Sequence, residues 1–269
     1  MFGLMTGGKI DRIPVSPFAM GYTAVIAGRS IGDFYSDAKT NFWCQLMAAD
    51  MHGFDSQPMY GYASIGAWEF GGKIGFPYEV GHGAPYVITH PAETPEAVDK
   101  MEVPNPKTAG SIPITMEVSK MCTALGMQAI FFVGGFITNT GNIIEPAKML
   151  LWMLRKPELV HKMNKKVLEF QKGVTDYFID TFGVQKCMIF AGGATESNKL
   201  ISPKQFETFA LPYETEIHNY ALDKGIHAVL EHPCADQNGN IVHYRKLREN
   251  CRWRGKYVWN FGPETPLEQ

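Results

Sequence analysis

Short runs of β-branched and aromatic residues recur along the chain, each followed by a longer stretch of helical periodicity. No other feature restricts the fold so much. The runs are "RIPVSPFAM" (12–20), "FDSQPMYGY" (54–62), "QAIFFVGGF" (128–136), "KCMIFAGG" (186–193), "IHAVLEH" (226–232) and "KYVWNFG" (256–262). A strand returns to a parallel neighbour only through a crossover, usually a helix, so strands alternating with helices predict an α/β chain with a parallel sheet. At 269 residues the chain is long enough for one α/β barrel. Nothing in its composition marks an internal boundary, so residues 1–269 read as a single barrel domain.

The helices between the runs are legible. In "PELVHKMNKKVLEFQKGVTDYFIDTFG", Val160, Met163, Val167, Phe170, Val174 and Phe178 recur at three- and four-residue steps, and Gly183 is placed to end the helix. "SPKQ" at 202–205 supplies an N-cap serine, a proline at the first helical position and a glutamine that closes a capping box, while Pro212 should kink or split that helix. Residues 61–110 are rich in Gly and Pro with weak periodicity. They read as a long excursion after the second run, a lid or an insertion packed on the barrel rim.

Charge and cysteine usage exclude several classes of function. A formal charge of −2 and a pI near 6.4 give no basic field for nucleic acid, and the one dense cationic stretch, "KLRENCRWRGK" (246–256), reads as a solvated face. The first residues lack the apolar core of a signal peptide, and no early segment is long enough to span a membrane, which predicts a soluble, cytoplasmic protein. Five scattered cysteines, an odd number, argue against a disulfide framework. The glycine-rich stretches lack the spacing of a phosphate loop or a dinucleotide fingerprint, and neither HExxH nor GxSxG occurs.

The polar groups at the ends of the strand runs remain. Alternation along 226–234 sends Ala228, Leu230, His232 and Cys234 to one face and Val229 and Glu231 to the other. His232 and Cys234 thus converge at a strand's C-terminal end, where barrels place functional groups. Imidazole and thiolate suit zinc, although a catalytic zinc takes three protein ligands. A satisfied polar pair and an activated Cys234 nucleophile stay open as alternatives. Glu196, Asn139 and Asn260 follow other runs and would line the same mouth, and Glu69 sits in the excursion that would cover it. Each of these four also fits a structural role at a helix cap or on backbone amides. Fourteen methionines are mostly core, with some available as adaptable wall for a large planar ligand.

"KIDRIPVSPF" (9–18), "ETPEAVDKMEVPNPKTAGSIP" (93–113), "ISPKQFETFALPYETEI" (201–217) and then "HPC" (232–234), in this order, resemble the uroporphyrinogen decarboxylase superfamily. The likeness runs closer to its corrinoid-dependent methyltransferases than to its decarboxylases. It implies a parallel (β/α)8 TIM-type barrel. Six strand candidates against eight imply that the last two βα units, roughly 70 residues, are missing and the chain is C-terminally truncated. Decarboxylases of the superfamily carry an arginine-rich Arg-Gln-Ala-Gly-Arg-Tyr stretch near the N-terminus, whereas "GYTAVIAGRSIGDFY" (21–35) offers Arg29 alone.

The methyltransferase branch implies zinc held by His-x-Cys plus a distant cysteine. His232 and Cys234 match the first two ligands. Cys251, the only later cysteine, precedes the last run at the end opposite the mouth, so the expectation is a zinc half-site. In this chemistry a zinc-activated thiol takes the methyl group from a methyl-cobalt(III) corrinoid carried on a partner protein, leaving cobalt(I). Members that use tetrahydrofolate instead would bind it through groups such as Glu196 and Asn260. The branch usually continues His-x-Cys with glycine, where this chain has Ala235. The resemblance therefore implies a corrinoid-dependent methyltransferase with Glu69, Glu196 and Asn260 as catalytic candidates, Asn139 toward the cofactor and His232 and Cys234 toward metal. The alternatives are a cofactor-free decarboxylase of a polycarboxylate and an inactive subunit that docks a corrinoid protein.

Overall fold

In the computed structural model, residues 9, 11–79, 83–252 and 255–265 are described. The opening residues read against a signal peptide, and Trp253 and Arg254 of the cationic stretch, lie outside them. Three short helices come first, α1 (Met20–Ile26), α2 (Ile31–Ser36) and α3 (Ala38–His52). A small hairpin follows, β1 (Lys73–Gly75) against β2 (Tyr86–Thr89), antiparallel. After α4 (Pro95–Lys100) and α5 (Ile112–Ala124) come β3 (Ala129–Phe132), α6 (Phe136–Ile144), α7 (Pro146–Arg155), α8 (Pro157–Phe182) and β4 (Cys187–Gly193). Then α9 (Pro203–Phe209), α10 (Leu211–Asp223), β5 (Ala228–Pro233), α11 (Ile241–Asn250) and β6 (Lys256–Trp259) complete the order. Strands β3 to β6 form a parallel sheet in sequence order, with Phe131 beside Ile189, Ile189 beside Val229 and Leu230 beside Val258.

This is the α/β barrel-type fold that the rhythm predicts, and four of the six expected strands are strands. The first two are corrected: residues 13–19 and 54–62 run without regular secondary structure. Pro14, Pro17 and Pro58 carry no N–H, so neither segment can keep up a ladder. Side chains make the links instead. Asp55 accepts from the Val15 amide and from both ends of the Arg12 guanidinium, while its own amide donates to Val15. Gln57 exchanges two hydrogen bonds with the backbone of Gln128, just ahead of β3. These segments thereby extend the wall that the four strands begin. The excursion at 61–110 also holds more order than its periodicity suggests, namely the β1–β2 hairpin and α4.

Alternation along the strands separates two layers. Phe131, Ile189 and Val229 face outward into the main core, where they meet Val167 and Phe178 of α8 and Ile217 of α10. Ile130, Met188 and Ala228 face inward with Phe190, Leu230, Val258 and Met59. The stripe expected on α8 is its buried face, and Gly183 at φ 80° ends that helix. The Ser202–Gln205 capping box is present, and the chain breaks between α9 and α10 just before Pro212. Glycine is required where the strand ends crowd together: a Cβ on Gly135 would lie 2.2 Å from the Gly192 carbonyl oxygen, and one on Gly192 2.3 Å from that of His232. Among the described residues no helix is long and apolar enough to cross a membrane.

Candidate functional site

The inward face of the sheet opens on a cavity of about 380 Å³. Met188, Phe190, Leu230 and Val258 form one wall, and Pro17, Phe18 and Met59 of the two extended segments form the other. Residues with amide and hydroxyl groups, among them Ser16, Gln57, Gln128 and Asn260, also line it. His232 stands at the rim, where its ring stacks on Phe18 (centroids 5.9 Å apart) and on Phe190 (6.4 Å). Its Nδ1 lies 2.7 Å from the Asn260 carbonyl oxygen. A carbonyl can only accept, so the ring proton sits on Nδ1 and the lone pair is left on Nε2. The Asn260 amide in turn donates to the Glu231 carbonyl, which joins the loop after β6 to β5.

Cys234 is half-buried, and burial pushes its thiol above the ordinary value, with the Ala235 amide pulling the other way. Ala235 has φ 57°, in the left-handed region that glycine prefers. The turn is held by Thr265, which donates to the Ala235 carbonyl, and by Gln237, which donates to that of Cys234. His232 and Cys234 offer an imidazole nitrogen and a thiol. Among the described residues no group of three or more His, Cys, Asp or Glu side chains is placed to hold a metal. The pair fits zinc by donor type and would supply two of the three protein ligands a catalytic zinc takes. Cys251 is fully buried at the end of α11, ahead of β6 and so at the opposite end of the sheet.

Three of the four other expected site residues are bound within the protein. Glu69 accepts from Tyr62 Oη, the Gly66 amide and both the amide and hydroxyl of Ser111, and so ties the excursion to the start of α5. Asn139 donates to the carbonyls of Gly134 and Gly135 and braces the turn after β3. Glu196 is buried and accepts from the Ile137 amide in the first turn of α6. Of the four, Asn260 alone lies on the cavity, exposed.

Sequence reasoning assigned no role to the groups around Glu196. Glu214 of α10 accepts from the amides of Gly135 and Phe136, and Gln171 accepts from that of Gly134. With Glu196 they satisfy four successive N–H groups at the N-terminus of α6, where negative charge is favoured. Glu231 joins from the outward face of β5, with Oε2 3.6 Å from His218 Nε2, and Glu214 Oε2 is 3.8 Å from the same atom. Burial raises Glu196 to about 7; burial and then the neighbouring Glu196 raise Glu231 to about 8. Glu214 is raised as well, by burial first and then by Glu196 and Glu231. Burial, then Arg248, lowers His218 to about 3, so it stands neutral among them. The signal was available: Leu211, Glu214, Ile217, His218 and Ala221 follow the inward stripe of α10, and two of the five are ionisable.

A parallel βα wall with polar groups gathered at its strand ends is the architecture of a TIM-type barrel. Residues 1–251 match the uroporphyrinogen decarboxylase family, and the chain belongs to that family. It is 28% identical over 158 residues to a uroporphyrinogen decarboxylase of Crocosphaera subtropica, which covers 54% of this chain and 41% of that protein. It is also 28% identical over 152 residues to the chloroplastic uroporphyrinogen decarboxylase 2 of Oryza sativa subsp. japonica, covering 54% and 37%. The match thus spans less than half the length of these curated relatives. Among solved structures, a methyltransferase from Methanosarcina mazei shares the fold with a TM-score of 0.76 and 14% identity, over 96% of this chain and 80% of that one.

Proposed function

We propose that the chain is a methyltransferase that moves a methyl group between a methyl-cobalt corrinoid, carried by a partner protein, and a thiol. The observation that carries this reading is the fixed state of His232. Its Nδ1–H is committed to a backbone carbonyl and its ring is stacked against two phenylalanines, which leaves Nε2 as an oriented lone pair two residues from a thiol. Metal-binding histidines are held this way, with the second nitrogen bonded to a carbonyl or carboxylate. A zinc bound there would supply Lewis acidity to lower a thiol pKa. His232 and Cys234 would be its first two ligands, with the third from outside the described set.

This chain's own groups do the positioning. Met188, Phe190 and Phe18 present an adaptable apolar wall that keeps water from the reacting sulfur. Asn260 offers an exposed amide at the rim to orient the acceptor, a role open equally to tetrahydrofolate as acceptor. Glu69, Glu196 and Asn139 hold the backbone around the mouth.

The curated relatives favour a second reading, decarboxylation of a uroporphyrinogen-like polycarboxylate. A wall of methionine and phenylalanine suits a neutral planar surface better than a molecule bearing many carboxylates, which calls for cationic partners. One experiment ranks the two: zinc content per chain, measured beside demethylation of methylcobalamin with a panel of thiols and release of carbon dioxide from uroporphyrinogen. Demethylation that needs a thiol supports the proposal. Carbon dioxide release without demethylation replaces it with the decarboxylase, and neither activity with tight corrinoid-protein binding identifies a docking subunit.

A further inference from the structure

The interior of a barrel of this type is ordinarily filled by layers of inward side chains. Here the cavity runs the length of the strands, because Gln128 ahead of β3 and Asn260 behind β6 both line it. Strand register sets its levels. At the rim His232 stands beside Gly192; two residues further in, Phe190, Leu230 and Val258 share a level, and two further still Ile130 and Met188 do. Gln128 lies two residues beyond Ile130, on the same face of the chain. Three steps of two residues, at about 3.3 Å per residue, make the slot roughly 20 Å long.

The levels differ in chemistry. Between the rim and Gln128 the wall is aliphatic, thioether or aromatic, and Met59 continues it on the facing segment. At the inner end the Gln128 backbone is bonded to Gln57, while its side-chain amide has no hydrogen-bond partner among the described residues. An amide turned toward an apolar space calls for a ligand group that donates to it or accepts from it. The ionisable side chains among the described lining residues are both acidic. Asp55 is taken up by Arg12, and the Glu231 carboxyl belongs to the buried group on the other face. A carboxylate or sulfonate drawn into the slot would therefore lose its hydration without gaining a cation.

Resting on the methyl transfer to a thiol proposed above, we propose that the acceptor is an uncharged thiol with an extended aliphatic body and a hydroxyl or amide at its far end. Its sulfur sits beside His232 and Cys234, its chain lies along Phe190, Leu230 and Met188, and its polar end reaches Gln128. Two measurements on the full chain test this. In demethylation of methylcobalamin, kcat/KM should rise roughly three- to fourfold per added methylene from 2-mercaptoethanol through 4-mercapto-1-butanol and 6-mercapto-1-hexanol to 8-mercapto-1-octanol. The carboxylate 6-mercaptohexanoate should fall at least about 100-fold below 6-mercapto-1-hexanol. Calorimetry with the methyl thioether of 8-mercapto-1-octanol, which needs neither metal nor corrinoid, should show binding with a negative heat-capacity change. Gln128→Leu should weaken this thioether about tenfold, the loss of one hydrogen bond, and should not weaken methyl octyl sulfide, which lacks the hydroxyl. Leu230→Trp, which fills the slot partway along, should abolish binding of both, with folding checked by circular dichroism. Demethylation indifferent to chain length, or as fast with the carboxylate, would overturn the proposal and leave the methyl transfer standing. Thioether binding without demethylation by any thiol would keep this ligand class for the slot and refute the transfer. No binding of the thioether, or equal weakening of both sulfides by Gln128→Leu, would overturn the assignment of the slot itself.

Discussion

Glu231 and His232 are consecutive residues of one strand, and the two faces of β5 treat them in opposite ways. Glu231 points outward under α10 and α11 into a buried group with Glu196, Glu214 and His218. His232 points inward to the rim of the cavity, half-buried, with one nitrogen bonded to the backbone and the other uncommitted. Buried carboxylates on the outer face hold backbone amides and set where the strand ends lie; the inner face offers groups to a ligand. Polarity at a strand end is therefore poor evidence of catalysis until the face is known, because the outer face of this barrel wall is polar too.

The sharpest way to break that contrast is Glu214→Ala. It leaves the amides of Gly135 and Phe136 buried without an acceptor, and each lost partner costs on the order of 1–3 kcal/mol. Relief of repulsion from Glu196 and Glu231 offsets part of this, so a net loss of about 3 kcal/mol is expected in urea denaturation. Glu214→Gln keeps an acceptor oxygen and should cost far less. Equal stability of the alanine variant and the parent would remove the carboxylate from any role in holding α6.

His232→Ala tests the inner face. It should reduce the proposed methyl transfer by at least about 100-fold, since loss of even an outer-shell partner of a metal-binding histidine costs about 10–100-fold, while stability changes by less than about 1 kcal/mol. A variant that unfolds as readily as Glu214→Ala, or that keeps full activity, would show that the two faces do not differ in kind.

Protonation distinguishes the faces as well. Glu196 and Glu231 have folded-state values of about 7 and about 8, above the ordinary 4.5 of the unfolded chain. A carboxyl raised in the folded state binds its proton more tightly there. Its stabilisation is complete below 4.5 and is lost as pH rises through the folded values, so this group makes the protein progressively less stable between about pH 5 and pH 8. The melting temperature should fall across that window, and Glu231→Gln should flatten the fall. A parent whose stability is flat or rising from pH 5 to 8, with Glu231→Gln unchanged in slope, would mean that other groups dominate.

How far the sequence reveals this contrast depends on the element. β5 reads correctly because a six-residue run states its alternation outright, and α8 reads correctly because 26 residues repeat one apolar face. Residues 13–19 and 54–62 read as strands because the wall of a barrel demands apolar extended chain whether or not a ladder forms, and their prolines decide the matter locally. Glu69, Glu196 and Asn139 were legible as polar residues beside strand ends. Their hydrogen-bond partners were not, because Ser111, Ile137 and Gly134 reach them only through tertiary contacts. Glu214 and His218 were hidden by the habit of reading a helical stripe for its apolar members alone.

The smallest expected effect lies in the turn after β5, where the inner face ends. Ala235 sits at φ 57°, a conformation that costs a residue with a Cβ roughly 1–2 kcal/mol. Glycine removes that cost and adds about 0.5–1 kcal/mol of unfolded-chain entropy to be lost on folding. Ala235→Gly should therefore stabilise the protein slightly, by no more than about 1 kcal/mol in chemical denaturation. The Ala235 amide opposes the rise that burial imposes on the Cys234 thiol, so a turn left in place should leave the thiol's rate of alkylation nearly unchanged. A loss of stability greater than about 1 kcal/mol would show that Thr265 and Gln237 hold some other backbone conformation at Ala235. Altered alkylation without a change in stability would show instead that the side-chain methyl of Ala235 shields the sulfur, which would make this turn part of the inner face.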